Sequence, residues 1–298
     1  MMLKNALQAG MISLVVGVVV LVFKWIAFWL TGSVALYSDA LESFVNVAAA
    51  AAMLIALKIA HQPADQEHPF GHSKAEYFSA ILESMLIGVA ALATLHEAVS
   101  RLLNPMALEA PLIGLMVSFV ASLMNGFLAW FLLKESKTLN SPALKADGLH
   151  ILSDVITSIG IWFGVGLAWL TGWWLLDPLL AMGVAIHILW MGWNLLKDSV
   201  DSLMDKSMNK EDLSIVKTVI SREMTGALQV HHVRTRQAGK KRFIEFHLVV
   251  PATMQVVTAH EICDRIELAL EIALPEIEVT IHVEPEEQSI VHDIISPR

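Results

Sequence analysis

His150 and Asp154 sit four residues apart inside an apolar stretch, about 143–171. On a helix that spacing places them on one face, one turn apart. A carboxylate facing lipid at mid-bilayer costs about 3 kcal/mol, so such a pair is expected to face a protein interior or a polar cavity. Glu42 and Asn46 repeat the spacing in an earlier apolar stretch, about 36–60. Two carboxylates, an amide oxygen and an imidazole make a mixed N/O ligand set. Four such donors suit Zn²⁺, Fe²⁺, Co²⁺ or Mn²⁺. The same imidazole and carboxylates bind protons, so metal and proton would compete for the same lone pairs. The rival reading is a set of interhelical hydrogen bonds that only hold a bundle together.

Two further groups have ligand chemistry. Asp65, His68 and His72 fall within eight residues, in Asp-Gln-Glu-His-Pro-Phe-Gly-His. They could form a compact transition-metal site, or simply a solvated polar loop. Nearer the C-terminus stand His231 or His232, His247, His260, His282 and Glu284. His282 and Glu284 alternate onto one face of a strand. Gathered by folding, these residues could hold one or two metal ions joining sheet and subunits; separately they read as surface histidines.

The elements that must position these groups follow from composition. Of 298 residues, 55% are hydrophobic and 16% charged, a membrane-protein balance. Six apolar stretches, about 10–31, 36–60, 77–103, 111–133, 143–171 and 176–196, are each about 20 residues or longer, enough to cross a bilayer. Turn-forming residues separate them at Thr31-Gly32-Ser33, Gln62-Pro63, Asn104-Pro105, Ser141-Pro142 and Thr171-Gly172. Gly160 and Gly164 are expected to allow close helix packing, and Trp25, Trp29, Trp173 and Trp174 to form an interfacial belt. Asp39 and Asp147 are further acids in or near the apolar stretches without an evident partner. The first stretch is too long for a cleavable signal.

Lys4, Lys58, Lys74, Lys134, Lys137, Lys145, Lys197, Lys206 and Lys210 fall at the N-terminus, in alternate connections and after the last span, with Arg101 the main exception. The positive-inside rule then predicts cytoplasmic termini. Beyond about residue 200 the periodicities predict an α-β-β-α-β order: a helix over 210–224, strands over 231–237 and 242–250, a helix over 259–274 and a strand over 278–284. We expect a six-helix membrane domain over 1–206 and an α+β soluble domain over 207–298, a small open sheet with helices on one face. A net charge of −9 argues against a nucleic-acid partner, and a single cysteine, Cys263, excludes an internal disulfide. No nucleophile elbow, phosphate loop or cofactor motif suggests an enzyme.

Several motifs in order resemble the cation diffusion facilitator family. They are Thr31-Gly-Ser-Val34, His68-Pro-Phe-Gly-His-Ser-Lys74-Ala-Glu76, Lys145-Ala-Asp-Gly-Leu-His150-Ile-Leu-Ser-Asp154, Arg234-Thr-Arg-Gln237 and Phe246-His-Leu248. The resemblance covers nearly the whole chain. It implies a homodimeric exporter in a bacterial inner membrane, exchanging a cytoplasmic divalent metal for protons by alternating access. Zinc would be the leading substrate, with Fe²⁺, Mn²⁺, Co²⁺ and Cd²⁺ as others. The soluble domain would be ferredoxin-like and dimerise around metal. By resemblance the transport site is Glu42, Asn46, His150 and Asp154. The loop site is Asp65, His68 and His72. The soluble-domain site is His231 (preferred over His232 by the family's spacing), His247, His260, His282 and Glu284. Lys74 and Asp205 match a charge pair near the dimer hinge. The family usually has Asp or His at position 42 and Asp at 46. Asn46 therefore removes one formal negative charge, which would lower metal affinity or favour harder ions such as Mn²⁺ and Fe²⁺. The rival function is a membrane-anchored metal sensor or assembly protein.

Overall fold

The computed structural model describes residues 2–31, 34–103, 112–173 and 175–286. The turn residues Gly32-Ser33 and Asn104-Pro105, and Trp174, lie outside them. The chain divides into two compact units, Met1–Val200 and Asp201–Arg298.

The first unit holds six long helices: α1 (Met2–Thr31), α2 (Val34–Ala60), α3 (Ala75–Leu103), α4 (Leu112–Leu139), α5 (Pro142–Thr171) and α6 (Leu176–Leu203). At 1.5 Å per residue, even the 27 residues of α2 exceed the roughly 30 Å hydrocarbon core. Among the described residues, Ala6–Ile26, Ser43–Ala60, Ala75–Ser100 and Pro178–Leu203 are apolar enough to cross it. Part of α4 and α5 lies outside the described side chains, yet both helices are as long as the others.

The burial pattern is inverted relative to a water-soluble domain. Val15, Val22, Phe23, Phe78, Val89, Phe119, Phe127 and Trp190 point outward. Ser13, Ser79, Glu83, Asp147, His150 and Ser153 point inward. Lipid accepts the apolar exterior, and only the bundle interior can satisfy the polar groups.

Two apolar clusters organise the interior. Ala9, Met53, Leu57, Leu128, Leu132 and Leu144 pack α1, α2, α4 and α5 together. Ala80, Ile87, Ala146, Ile188 and Leu195 join α3 and α6 to α5. Helix α5 thus belongs to both groups. Gly160 lets α6 close on it, since a Cβ there would meet the Val184 side chain at 2.8 Å. The packing at Gly164 lies outside the described residues. Ser141 caps the start of α5, accepting from the Leu144 N–H with Pro142 in the first turn.

The second unit is α7 (Lys210–Glu223), β1 (Gln229–Ala238), β2 (Lys241–Val250), α8 (Val256–Ala273) and β3 (Ile277–Pro285), the expected α-β-β-α-β order. The sheet order is β1-β2-β3, with β1 antiparallel and β3 parallel to β2. Parallel pairing needs a crossover, which α8 supplies. Ile244, Phe246 and Leu248 of β2 pack with Val216 and Ile220 of α7 and Ile262, Ile266 and Leu270 of α8. His247, between two of those inward positions, projects to the opposite face.

Candidate metal centres

Three groups of ligand residues take shape. In the first unit, α2 presents Asn46 to α5. The Asn46 side-chain N–H donates to Asp154 Oδ2 at 2.6 Å, and its Oδ1 lies 2.9 Å from His150 Nε2. An amide oxygen only accepts, so Nε2 carries the proton in this arrangement. His150 is 4% exposed. Asn46, His150 and Asp154 are therefore brought together, as their spacing predicts. Glu42 precedes Asn46 by one helical turn, and its side chain lies outside the described residues.

Asp147 is not the unpartnered acid the sequence suggests. It is buried and accepts from the Ser13 hydroxyl of α1 at 2.6 Å. Glu76 is also buried; it accepts from Ser141 Oγ and from the Ala143 N–H at 3.4 Å, anchoring α3 to the first turn of α5. One buried acid escaped the sequence reading altogether. Glu83 of α3 is 1% exposed, with Oε2 4.0 Å from His150 Nδ1. Its signal was a carboxylate in the run Ala80-Ile-Leu-Glu83-Ser-Met-Leu86, two turns beyond Glu76.

The loop between α2 and α3 folds around Asp65. Its Oδ1 accepts from the backbone N–H groups of Glu67 at 3.0 Å and His68 at 2.7 Å, an Asx turn. Gly71, at φ +83°, turns the chain so that the rings of His68 and His72 lie 4.4 Å apart. The carboxylate stands 3.5 Å from His68 Nδ1 and 3.4 Å from His72 Nε2. The His68 N–H bond holds the Asp65 carboxyl below its ordinary value, with the Glu67 N–H and the two imidazoles adding to it. One ligand atom from each residue falls within 4.8 Å of the others.

On the sheet, strand register sets His231, His247 and His282 side by side across β1, β2 and β3. Glu284 is their common partner, 3.3 Å from His231 Nε2, 2.8 Å from His247 Nδ1 and 3.5 Å from His282 Nε2. Burial pushes the His231 imidazole below its ordinary value, against the opposing pull of Glu284. That favours the neutral form a metal requires. His232 joins the cluster as well, although strict alternation would put it on the other face. A bulge between His231 and Arg234, with His232 at φ +52°, turns its ring to 5.1 Å from that of His247. His260 does not join it in this chain. It is exposed on α8, with Nε2 3.6 Å from Asp264 Oδ1.

The family model for the cation efflux transmembrane domain matches residues 10–204, and that for the cytoplasmic domain of cation efflux proteins matches 208–286. The chain belongs to the cation diffusion facilitator family. The uncharacterized transporter sll1263 of Synechocystis is 45% identical over 87% of this chain and 84% of that one. The cation-efflux pump FieF of Klebsiella pneumoniae is 35% identical over 89% of this chain and 88% of that one. Among solved structures, the metal-bound C-terminal domain of the CzcD transporter from Thermotoga maritima is 31% identical, covers 28% of this chain and all of that chain, and has a TM-score of 0.25. The protein is a membrane transporter of divalent metal cations, not an enzyme, and its cytoplasmic domain is the one through which cation diffusion facilitators dimerise.

Proposed function

We propose that the chain exports a divalent metal, zinc first, in exchange for protons. The supporting observation is the Asn46–His150–Asp154 cluster on two apolar helices, with Glu42 one turn away. Metal arriving from the cytoplasm displaces the hydrogen bonds that tie these side chains together. Protons from the other side then take the imidazole and carboxylate lone pairs and release it. Helix α5 contributes to both apolar clusters, so a shift of one helix group against the other moves His150 and Asp154 relative to α2 or to α3.

In this reading, residues 1–206 form the membrane domain and 207–298 the cytoplasmic domain of a homodimer. Both termini face the cytoplasm of a bacterial inner membrane. Asp65, His68 and His72 bind metal on that side. His231, His247, His282 and Glu284 hold the regulatory metal, with His260 reaching a second copy from its exposed place on α8. Metal loading of the cytoplasmic domain favours the transporting state only by binding it more tightly than the other.

The test is metal flux into proteoliposomes under an imposed pH gradient. Zn²⁺, Mn²⁺, Fe²⁺, Co²⁺ and Cd²⁺ are compared, with Asp154→Ala as the blank. Gradient-driven flux that the substitution abolishes is expected. Metal binding without flux of any ion would instead identify a sensor.

A further inference from the structure

Three buried acids lie on α5 or against it, Asp147 on the helix itself and Glu76 and Glu83 on α3, and two of them have an evident structural task. Asp147 accepts from Ser13, and Glu76 accepts from Ser141 and Ala143. Glu83 differs. Neither of its carboxylate oxygens accepts a hydrogen bond among the described residues, although it is 1% exposed. Buried carboxylates without such partners are costly, and natural interiors seldom keep them without a use.

The only ionisable ring that Glu83 faces among the described residues is His150, at Nδ1 and 4.0 Å. Nε2, the other ring nitrogen, points at Asn46 and carries the proton there. A nitrogen that donates cannot bind a metal. Metal at Nε2 requires the neutral tautomer with its proton on Nδ1, and that N–H then points at Glu83. Closing 4.0 Å to a hydrogen bond of about 2.9 Å takes about 1 Å of side-chain movement. A metal-bound imidazole whose second nitrogen donates to a carboxylate is a general arrangement, and the carboxylate both fixes the ring and makes it a stronger ligand.

We propose that Glu83 is a positioning carboxylate of the transport site: it receives the His150 Nδ1–H when Nε2 takes the metal, and supplies, across the ring, the negative charge that Asn46 lacks. The proposal rests on the assignment of His150 and Asp154 as transport ligands. Helix α3 thereby becomes a third wall of the site, beside α2 and α5. A neutral oxygen donor at position 46 is then compatible with a site of ordinary charge.

The test uses the full chain in proteoliposomes and zinc flux. Glu83→Gln, nearly isosteric, is expected to raise the zinc KM by about 10- to 100-fold, the usual effect of losing such a support, while maximal flux changes less. Glu83→Asp, which keeps the charge, is expected to raise it less and covers the case in which the Gln variant inserts poorly. Adding Asn46→Asp to Glu83→Gln restores a carboxylate on the other side of the ring. The improvement in KM from Asn46→Asp is expected to be greater in the Glu83→Gln background than in the wild type. Cobalt(II) binding followed by visible absorption should rank the variants in the same order. A wild-type KM in Glu83→Gln, or equal factors for Asn46→Asp in both backgrounds, overturns the proposal. Flux surviving in Asp154→Ala overturns instead the site assignment beneath it.

Discussion

Asn46 holds Asp154 by a 2.6 Å hydrogen bond from its amide, across the contact between α2 and α5. A carboxylate at position 46 could not make that bond without a proton. In the proposed transport site the amide would therefore pre-assemble the ligands while the metal is absent, and contribute no charge once the metal is bound. Asn46→Asp is expected to reverse both properties. A restored carboxylate worth about 1.4 kcal/mol to bound zinc corresponds to a tenfold gain in affinity. Zinc should gain over Mn²⁺, because manganese is served as well by neutral oxygen donors. Competition between the two ions in the flux assay reads the ratio directly, and an unchanged ratio would mean that position 46 does not set selectivity.

On the cytoplasmic sheet, Glu284 is shared by three histidines, so its loss should cost more than the loss of any one of them. Glu284→Gln is expected to weaken zinc binding there at least tenfold, since it removes the only carboxylate the three rings share among the described residues. His260→Ala should leave the zinc affinity of a single chain nearly unchanged and lower only the zinc dependence of dimerisation. Zinc titration and sedimentation of the purified full-length protein, run with the loop residues intact, separate the two effects. Equal loss in both variants would place His260 in the cluster of its own chain.

Glu76 makes a structural prediction of a different kind. It ties α3 to the first turn of α5 through Ser141 and Ala143. Hydrogen bonds to a charged group contribute about 1.5–3 kcal/mol each. Glu76→Ala should therefore lower the thermal midpoint clearly, while leaving the zinc KM of the folded fraction near the wild-type value. A KM rise like that of Glu83→Gln would show that the two acids act together.

Much of this was legible beforehand. Spans, strands and the pairing of Asn46 with His150 and Asp154 follow from periodicities of 3.6 and 2, because one face of each element is buried. The exceptions have specific causes, one local and two tertiary. The position of His232 depends on a bulge and a positive φ, and no alternation pattern encodes either. Asp147 looked unpartnered because Ser13 lies 134 residues away. Glu83 has no i+4 ligand on its own helix, so spacing alone gave no reason to single it out. Its meaning comes from the approach of α3 to α5, a tertiary fact. His260 falls on the helix that its periodicity predicts, and it is exposed there with Nε2 3.6 Å from Asp264 Oδ1.

Cys263 gives a test of the cytoplasmic unit that is independent of metal. It is buried on α8 against the sheet. Burial pushes its thiol above the ordinary value of 9.0, and the neighbouring Glu267 and Asp264 carboxylates push it further. The folded chain therefore keeps the thiol proton after the unfolded chain has given it up. This contribution to stability is complete below 9.0 and is lost as pH rises through the folded value. Since the thiolate is the reactive form, alkylation by iodoacetamide at pH 8 should be slow in the native protein and fast in urea. Cys263→Ala should flatten the alkaline fall in stability while leaving zinc flux unchanged. Rapid alkylation of the native protein at pH 8 would mean that α8 opens readily from the sheet, and the same opening would expose the apolar core formed by Ile262, Ile266 and Leu270.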